Sequence, residues 1–187
     1  MGEKRYYMAC LDVAGRDCLV VGGGSVGLEK ARGLLDCGAR VTVVAPEIVS
    51  ELRELPVELV ERPYRSDDLD GRFLVMAATA DAAVNRRVSE DAERRSLLCN
   101  VADAPDLCTF ILPAVHRQDP IAIAVTTSGA SPALAQRIRG EVAERYGPEY
   151  ADLARRLRAR RPWAKENLTT YEERRDYFQA LVEEALP

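Results

Sequence analysis

Three glycines in "LVVGGGSVGLEKARGLL", residues 19–35, are the residues whose types and spacing point most directly to chemistry. Gly22, Gly24 and Gly27 match G-x-G-x-x-G, with Gly23 between the first two. The first glycine of such a loop permits a tight turn. The second lets the backbone approach a pyrophosphate, and the third lets helix and strand pack closely. A helix that opens on the loop aims its free N–H groups at the same anion. The chemistry implied is dinucleotide binding. The usual carboxylate for the ribose hydroxyls should stand at the end of the second strand, about 20 residues on. Here that strand ends in Ala45-Pro46, and Glu47 comes slightly late. No arginine follows at once to hold a 2′-phosphate, so NAD is expected over NADP.

Those residues need a scaffold. "CLVVG" (18–22) reads as a buried strand. Residues 25–36 carry Val26, Leu28, Ala31, Leu34 and Leu35 at helical spacing, and Gly38 suits a left-handed stop. "VTVVA" (41–45) is a second buried strand, which completes a strand–helix–strand unit. Strands follow at 57–60, 73–79 and 97–101. A helix is predicted over 81–95, with Asp81 as its N-cap. The pattern is that of a doubly wound α/β, Rossmann-type parallel sheet. The grammar then changes. "TFILPAVH" (109–116) and "IAIAVTT" (121–127) read as a hairpin or crossing pair. Ser131 before Pro132 starts a helix, and everything from Pro148 onward reads as helical. The expected organisation is a dinucleotide-binding domain (1–112), a small α+β region (113–146) and a helical C-terminal region (147–187).

Composition narrows the classes. A chain of 187 residues, with hydrophobic content of 47% and charged content of 30%, suits an ordinary globular protein. A net charge of −4 speaks against nucleic acid as a partner. No apolar run is long enough for a membrane span, and the opening "MGEKRYYMAC" lacks the apolar core of a secretion signal, so a cytoplasmic location is expected. Five scattered cysteines argue against a disulfide scaffold, and Cys18 and Cys99 read as small buried hydrophobes. A single histidine, His116, excludes a multi-histidine metal site, and no resident metal is expected. His116 itself reads as a strand-end residue near the surface. Trp163 reads as an anchor between helices. The block "ARRLRARR" (154–161) reads as a solvated helix face, or as a basic wall for an anionic ligand or partner. Asp103 follows the strand at 97–101. In open α/β sheets, ligands lie beyond the carboxyl ends of the strands, so its carboxylate could accept a proton there. Its competing reading is a turn residue in "DAPD" bonded to its own backbone.

Five pieces stand in a specific order: "LVVGGGSVGLEKA", "GARVTVVAPE", "AATADAAVNRRV", "CNVADAPDLCTFILPA" and "AVTTSGASPALAQRIR". Together they resemble the precorrin-2 dehydrogenase / sirohydrochlorin ferrochelatase family, which includes the amino-terminal half of sirohaem synthases. The resemblance runs over essentially the whole chain. It implies a homodimer, with 113–146 as the dimerisation region, that oxidises precorrin-2 to sirohydrochlorin with NAD+. Some members also insert ferrous iron to give sirohaem, and no residue here separates the two classes. It further implies that the glycine loop (Gly22, Gly23, Gly24, Ser25, Val26 and Gly27), Pro46, Glu47 and Thr79 hold NAD. Asp103 falls on the aspartate implicated in both activities. "TTSGASP" resembles the family's small-residue loop, although many members have two glycines where this chain has Ser128-Gly129. Ser128, Gly129 and Ser131 at that helix start would cradle substrate carboxylates, and Arg137 and Arg139 would neutralise them. The length leaves no room for a fused methyltransferase domain, so precorrin-2 is expected to come from another chain. The alternatives are a non-catalytic NAD-sensing domain and a chelatase indifferent to NAD.

Overall fold

The computed structural model describes residues 5–185. Contacts divide the chain into two compact units, Met1–Leu112 and Pro113–Pro187.

The first unit is built on five parallel strands in the order β3-β2-β1-β4-β5. They are β1 (Asp17–Val21), β2 (Arg40–Ala45), β3 (Glu58–Glu61), β4 (Leu74–Ala77) and β5 (Leu98–Val101). Helices α1 (Ser25–Leu35), α2 (Ser50–Arg53) and α3 (Ala82–Arg94) connect them. Both faces of the sheet are covered, which is why the central strands β1 and β4 are apolar along nearly their whole length. Alternate side chains serve opposite layers. Leu19 and Val21 of β1 join Val75, Cys99 and Val101 in a core closed by Val88 and Ala92 of α3. Cys18 and Val20 join Val41, Val43, Leu74 and Met76 beneath Ala31 and Leu34 of α1. Cys18 and Cys99 are thus buried hydrophobes, as expected from their contexts. Each fully buried Val or Leu contributes about 1.5–3 kcal/mol. Gly38 ends α1 at a φ of +79°. Asp81 caps α3, its carboxylate accepting from the N–H groups of Ala83 and Val84.

The second unit pairs β6 (Ala114–Gln118) with β7 (Ile121–Val125) in an antiparallel hairpin. Helices α4 (Pro132–Arg145), α5 (Pro148–Asn167) and α6 (Tyr171–Ala185) follow. The predicted strand over 109–116 is corrected here. Pro113 has no N–H to donate and interrupts the run. Thr109 and Phe110 hydrogen-bond along β5 instead, and the hairpin strand starts only at Ala114. On the hairpin, Val115, Arg117, Ala122 and Ala124 share an exposed face. His116 lies mid-strand, half-buried, and its Nε2 is 2.8 Å from the Tyr146 carbonyl at the end of α4. Trp163 of α5 packs on Tyr177 of α6, with ring centroids 5.3 Å apart. No helix among the described residues is long and apolar enough to cross a membrane.

Candidate functional site

The sheet order reverses direction between β1 and β4, and crevices form at such a switch point beyond the carboxyl ends of the strands. A cleft of about 850 Å³ opens there. Its lining includes Gly22, Gly23, Gly24, Ser25, Val26, Pro46, Glu47, Thr79 and Asp103, so one cavity brings these sequence candidates together. Gly27 is absent from the lining. It sits behind the loop, where a Cβ would lie 2.1 Å from the Gly22 carbonyl oxygen, so its role is packing.

The other glycines divide the labour differently. Gly22 adopts a φ of +130°, and a Cβ there would meet the Ala78 carbonyl oxygen at 2.4 Å. At Gly23 a Cβ would fall 2.1 Å from the Glu47 carbonyl oxygen. Around Gly24, by contrast, a Cβ would meet nothing within 4 Å, so its missing side chain leaves room for a ligand and is not a demand of the fold.

Gly24 is the N-cap of α1, and no side chain caps the helix. The first turn holds no acidic residue. Its N–H groups therefore face the cleft uncapped, with no carboxylate in the helix's own first turn to repel an anion. No lysine or arginine is among the described residues lining the cleft, so binding of a phosphate rests on backbone N–H groups and the helix dipole. Glu47 is exposed at the end of β2 and makes no hydrogen bond through its carboxylate among the described residues. It is free for ribose hydroxyls. Thr79 is held differently: its Oγ1 lies 2.8 Å from Asn85 Oδ1 and donates to one of its acceptors, while Asn85 Nδ2 donates to the Thr79 carbonyl. This pair fixes the exit of β4.

Asp103 stands just past the end of β5 with a φ of +56°. Left-handed backbone is uncommon outside glycine, and Asp is among the residues that tolerate it best. The carboxylate is exposed and accepts no hydrogen bond among the described residues. It is a turn residue, but its side chain does not stabilise the turn. Strained backbone with an unengaged functional group at a cleft is a pattern associated with function.

Two lining residues escaped the sequence reading, Pro63 and Tyr64. Tyr64 is buried and donates its hydroxyl to Asp91 Oδ2 at 2.9 Å. Burial and this hydrogen bond push the phenol well above its ordinary range. Burial alone would raise the Asp91 carboxyl. Hydrogen bonds from Ser66 and Tyr64, with the charges of Arg94 and Arg87, hold it below the usual carboxylate range instead. The available signal was Tyr64's place just after a strand; its partner lies 27 residues away.

The remaining candidates lie in the second unit. Ser128 and Gly129 adopt φ values of +54° and +89° before α4. The Ser131 hydroxyl accepts from the Leu134 N–H as the N-cap. Arg137 is engaged in an ion pair with Glu141 at 2.8 Å. Arg139 is not paired in this way, and its Nε is buried without a hydrogen-bond partner among the described residues.

A strand order of 3-2-1-4-5, a glycine turn into an uncapped helix and a cleft at the switch point define a Rossmann-type dinucleotide-binding domain. Comparison with known proteins takes this further. A family model described as "Putative NAD(P)-binding" matches residues 9–114, more than half of the chain, and the chain belongs to that family. A second model, "Sirohaem biosynthesis protein central", matches residues 118–145. The chain is 42% identical over 178 residues to a siroheme synthase of Ectopseudomonas mendocina, covering 92% of this chain and 38% of that protein. It is 44% identical over 177 residues to a siroheme synthase of Pseudomonas aeruginosa, covering 90% and 37%. It thus spans well under half the length of these relatives. The solved structure of SirC, a precorrin-2 dehydrogenase, superposes with a TM-score of 0.80 at 27% identity, covering 95% of this chain and 89% of SirC. The resemblance carried by the five sequence pieces is borne out.

Proposed function

We propose that this chain oxidises precorrin-2 to sirohydrochlorin with NAD+. The observation that carries the reading is the meeting of two features in one cleft, the open Gly24 turn and the unengaged Asp103 carboxylate. The match to SirC over 95% of the chain supports it.

The residues present fit NAD. The uncapped first turn of α1, with Gly24, Ser25 and Val26, would hold the pyrophosphate. Pro46 and Glu47 would flank a ribose, and Thr79 would line the path along β4. No lysine or arginine lines the cleft among the described residues, which disfavours a 2′-phosphate and supports NAD over NADP. When bound, NAD+ supplies the hydride acceptor. Oxidation removes a hydride and a proton from the substrate, and Asp103 accepts the proton at its carboxylate. Val21, Val26 and Val44 give the cleft apolar walls.

Precorrin-2 carries eight carboxylates. Ser128, Gly129 and Ser131 form a small-residue cradle at the start of α4, and Arg139, which makes no ion pair among the described residues, is freer than Arg137 to meet one through its terminal nitrogens. The proposed assembly is a homodimer formed through the exposed hairpin face. A two-stranded sheet is marginal alone, and the second unit buries few side chains, among them Ala135, Ala151, Leu153 and Ala164. Insertion of ferrous iron, as a substrate, is a further activity for which the macrocycle itself would supply the ligands. Asp103 could then accept pyrrole protons.

The test is anaerobic absorbance of the protein with precorrin-2, with and without NAD+, followed by ferrous iron. Sirohydrochlorin formed only with NAD+ supports the dehydrogenase. NAD+ binding without product favours a sensing domain. Iron insertion indifferent to NAD+ favours a chelatase.

A further inference from the structure

The outermost strand β5 leaves the N–H and C=O groups of Cys99 and Val101 without a strand partner on its free side. Residues 108–110 double back and cover them. The Thr109 N–H donates to the Cys99 carbonyl at 2.9 Å, and Thr109 Oγ1 accepts from the Cys99 N–H at 2.8 Å. At Val101 a side chain replaces the backbone. The Val101 N–H donates to Cys108 Sγ at 3.1 Å. The same sulfur lies 3.3 Å from the Val101 carbonyl and 3.3 Å from the Ala104 carbonyl. Asn100 Nδ2 approaches it at 3.7 Å.

Val101 and Ala104 bracket the two residues Ala102 and Asp103. One buried thiol therefore ties both ends of the turn that holds Asp103 at a φ of +56°. The backbone closure of that turn, from the Ala104 N–H to the Val101 carbonyl, is long at 3.4 Å. The Asp103 carboxylate adds no tie of its own. Sulfur suits the task because its long, weakly directional contacts reach several groups at once.

We propose that Cys108 is a positioning residue for Asp103, its thiol fixing the left-handed turn that aims the carboxylate into the cleft. This rests on the reading of Asp103 as the proton acceptor. Without the sulfur, the Val101 N–H loses its partner, and the turn is free to relax toward ordinary backbone. A displacement of about 1 Å at a reacting group costs up to about a hundredfold in rate.

The test uses the full chain as C108A, C108S, D103N and C108A/D103N. The readouts are kcat for anaerobic precorrin-2 oxidation and the Kd for NAD+. The expected result is a fall in kcat of about ten- to hundredfold for C108A, with the NAD+ Kd within about twofold of wild type. C108S should recover part of the loss, because its hydroxyl can still donate and accept. In the D103N background, C108A should cost little more, because a positioning residue has nothing left to position. A wild-type kcat in C108A overturns the proposal. So does an equal loss in both backgrounds, which marks a structural role alone. Should C108A fail to fold, C108V, which fills the space without a donor or acceptor, decides: a lowered kcat at unchanged Kd supports the proposal, and an unchanged kcat overturns it. D103N turning over at the wild-type rate removes the Asp103 reading, and this inference falls with it. Wild-type kcat in C108A with loss in D103N overturns this inference alone.

Discussion

Gly24→Asp should separate binding from folding, because its two effects have opposite signs. Gly24 has φ −90° and ψ −168°, extended backbone open to any residue. A Cβ there meets nothing within 4 Å. Aspartate is also a better N-cap than glycine, by a few tenths of a kcal/mol. The variant should therefore melt at the wild-type temperature or slightly above it. The cofactor site should be lost for the same reason. The carboxylate would engage the N–H groups meant for the pyrophosphate, and a like charge would stand about 4 Å from it. At an effective dielectric of about 20 that repulsion is about 4 kcal/mol, close to a thousandfold in Kd. The assay is a pair of melts with a calorimetric titration. At about one hundred times its Kd, NAD+ should stabilise the wild type by about 2.7 kcal/mol, a shift of about 5–10 °C for a chain of this size. Gly24→Asp should show no shift. An NAD+ Kd within threefold of wild type would refute the site. A melting temperature lowered by about 5 °C or more would refute the claim that this glycine serves the ligand and not the fold.

Asp103→Asn keeps a residue that tolerates the left-handed backbone and removes the base. Turnover should fall by about a hundredfold or more at unchanged NAD+ affinity, measured in the same anaerobic assay. Asp91→Asn should destabilise the first unit by about 3 kcal/mol, read as a lower melting temperature, because it breaks a buried network of Tyr64, Ser66 and Arg94. The wild-type Asp91 carboxyl is held below its unfolded value. Its contribution is therefore fully present above about pH 4 and lost as pH falls through the folded value, so the variant's stability should fall less steeply in acid. Ala124→Glu on the exposed hairpin face places like charges in a symmetric interface. Light scattering should report a dimer for the wild type and a monomer for the variant, and an unchanged mass would refute that face as the interface.

How much was legible depended on the range of the interactions. The glycine turn was readable because an apolar run, a turn and a helical period follow one another within 17 residues, residues 19–35. The candidates drawn from it meet Glu47, Thr79 and Asp103 in one cleft because strand ends in a parallel sheet lie side by side. The run at 109–116 misled because apolar character alone does not reveal which strand an extended segment pairs with, and Pro113 breaks it. Tyr64 and Cys108 were illegible as site-shaping residues. Tyr64 acts through Asp91, a contact made only on folding, and Cys108 acts through backbone atoms of a turn whose φ no residue pattern encodes. Arg137 pairs with its i,i+4 neighbour Glu141, a local contact that the reading of the loop did not weigh against an external anion.

Cys99, Val101 and the segment that covers them have a consequence for crowded solution. A sheet that ends in bare N–H and C=O groups is a template for another chain. Here one border is closed by Cys108, Thr109 and Phe110. The other is β3, only four residues long and flanked by the carboxylates Glu58 and Glu61, which Thr42 and Arg53 engage. Neither border invites a stranger's strand. The nucleotide domain is thereby guarded against growing by sheet extension, and its cleft stays accessible when the protein is abundant.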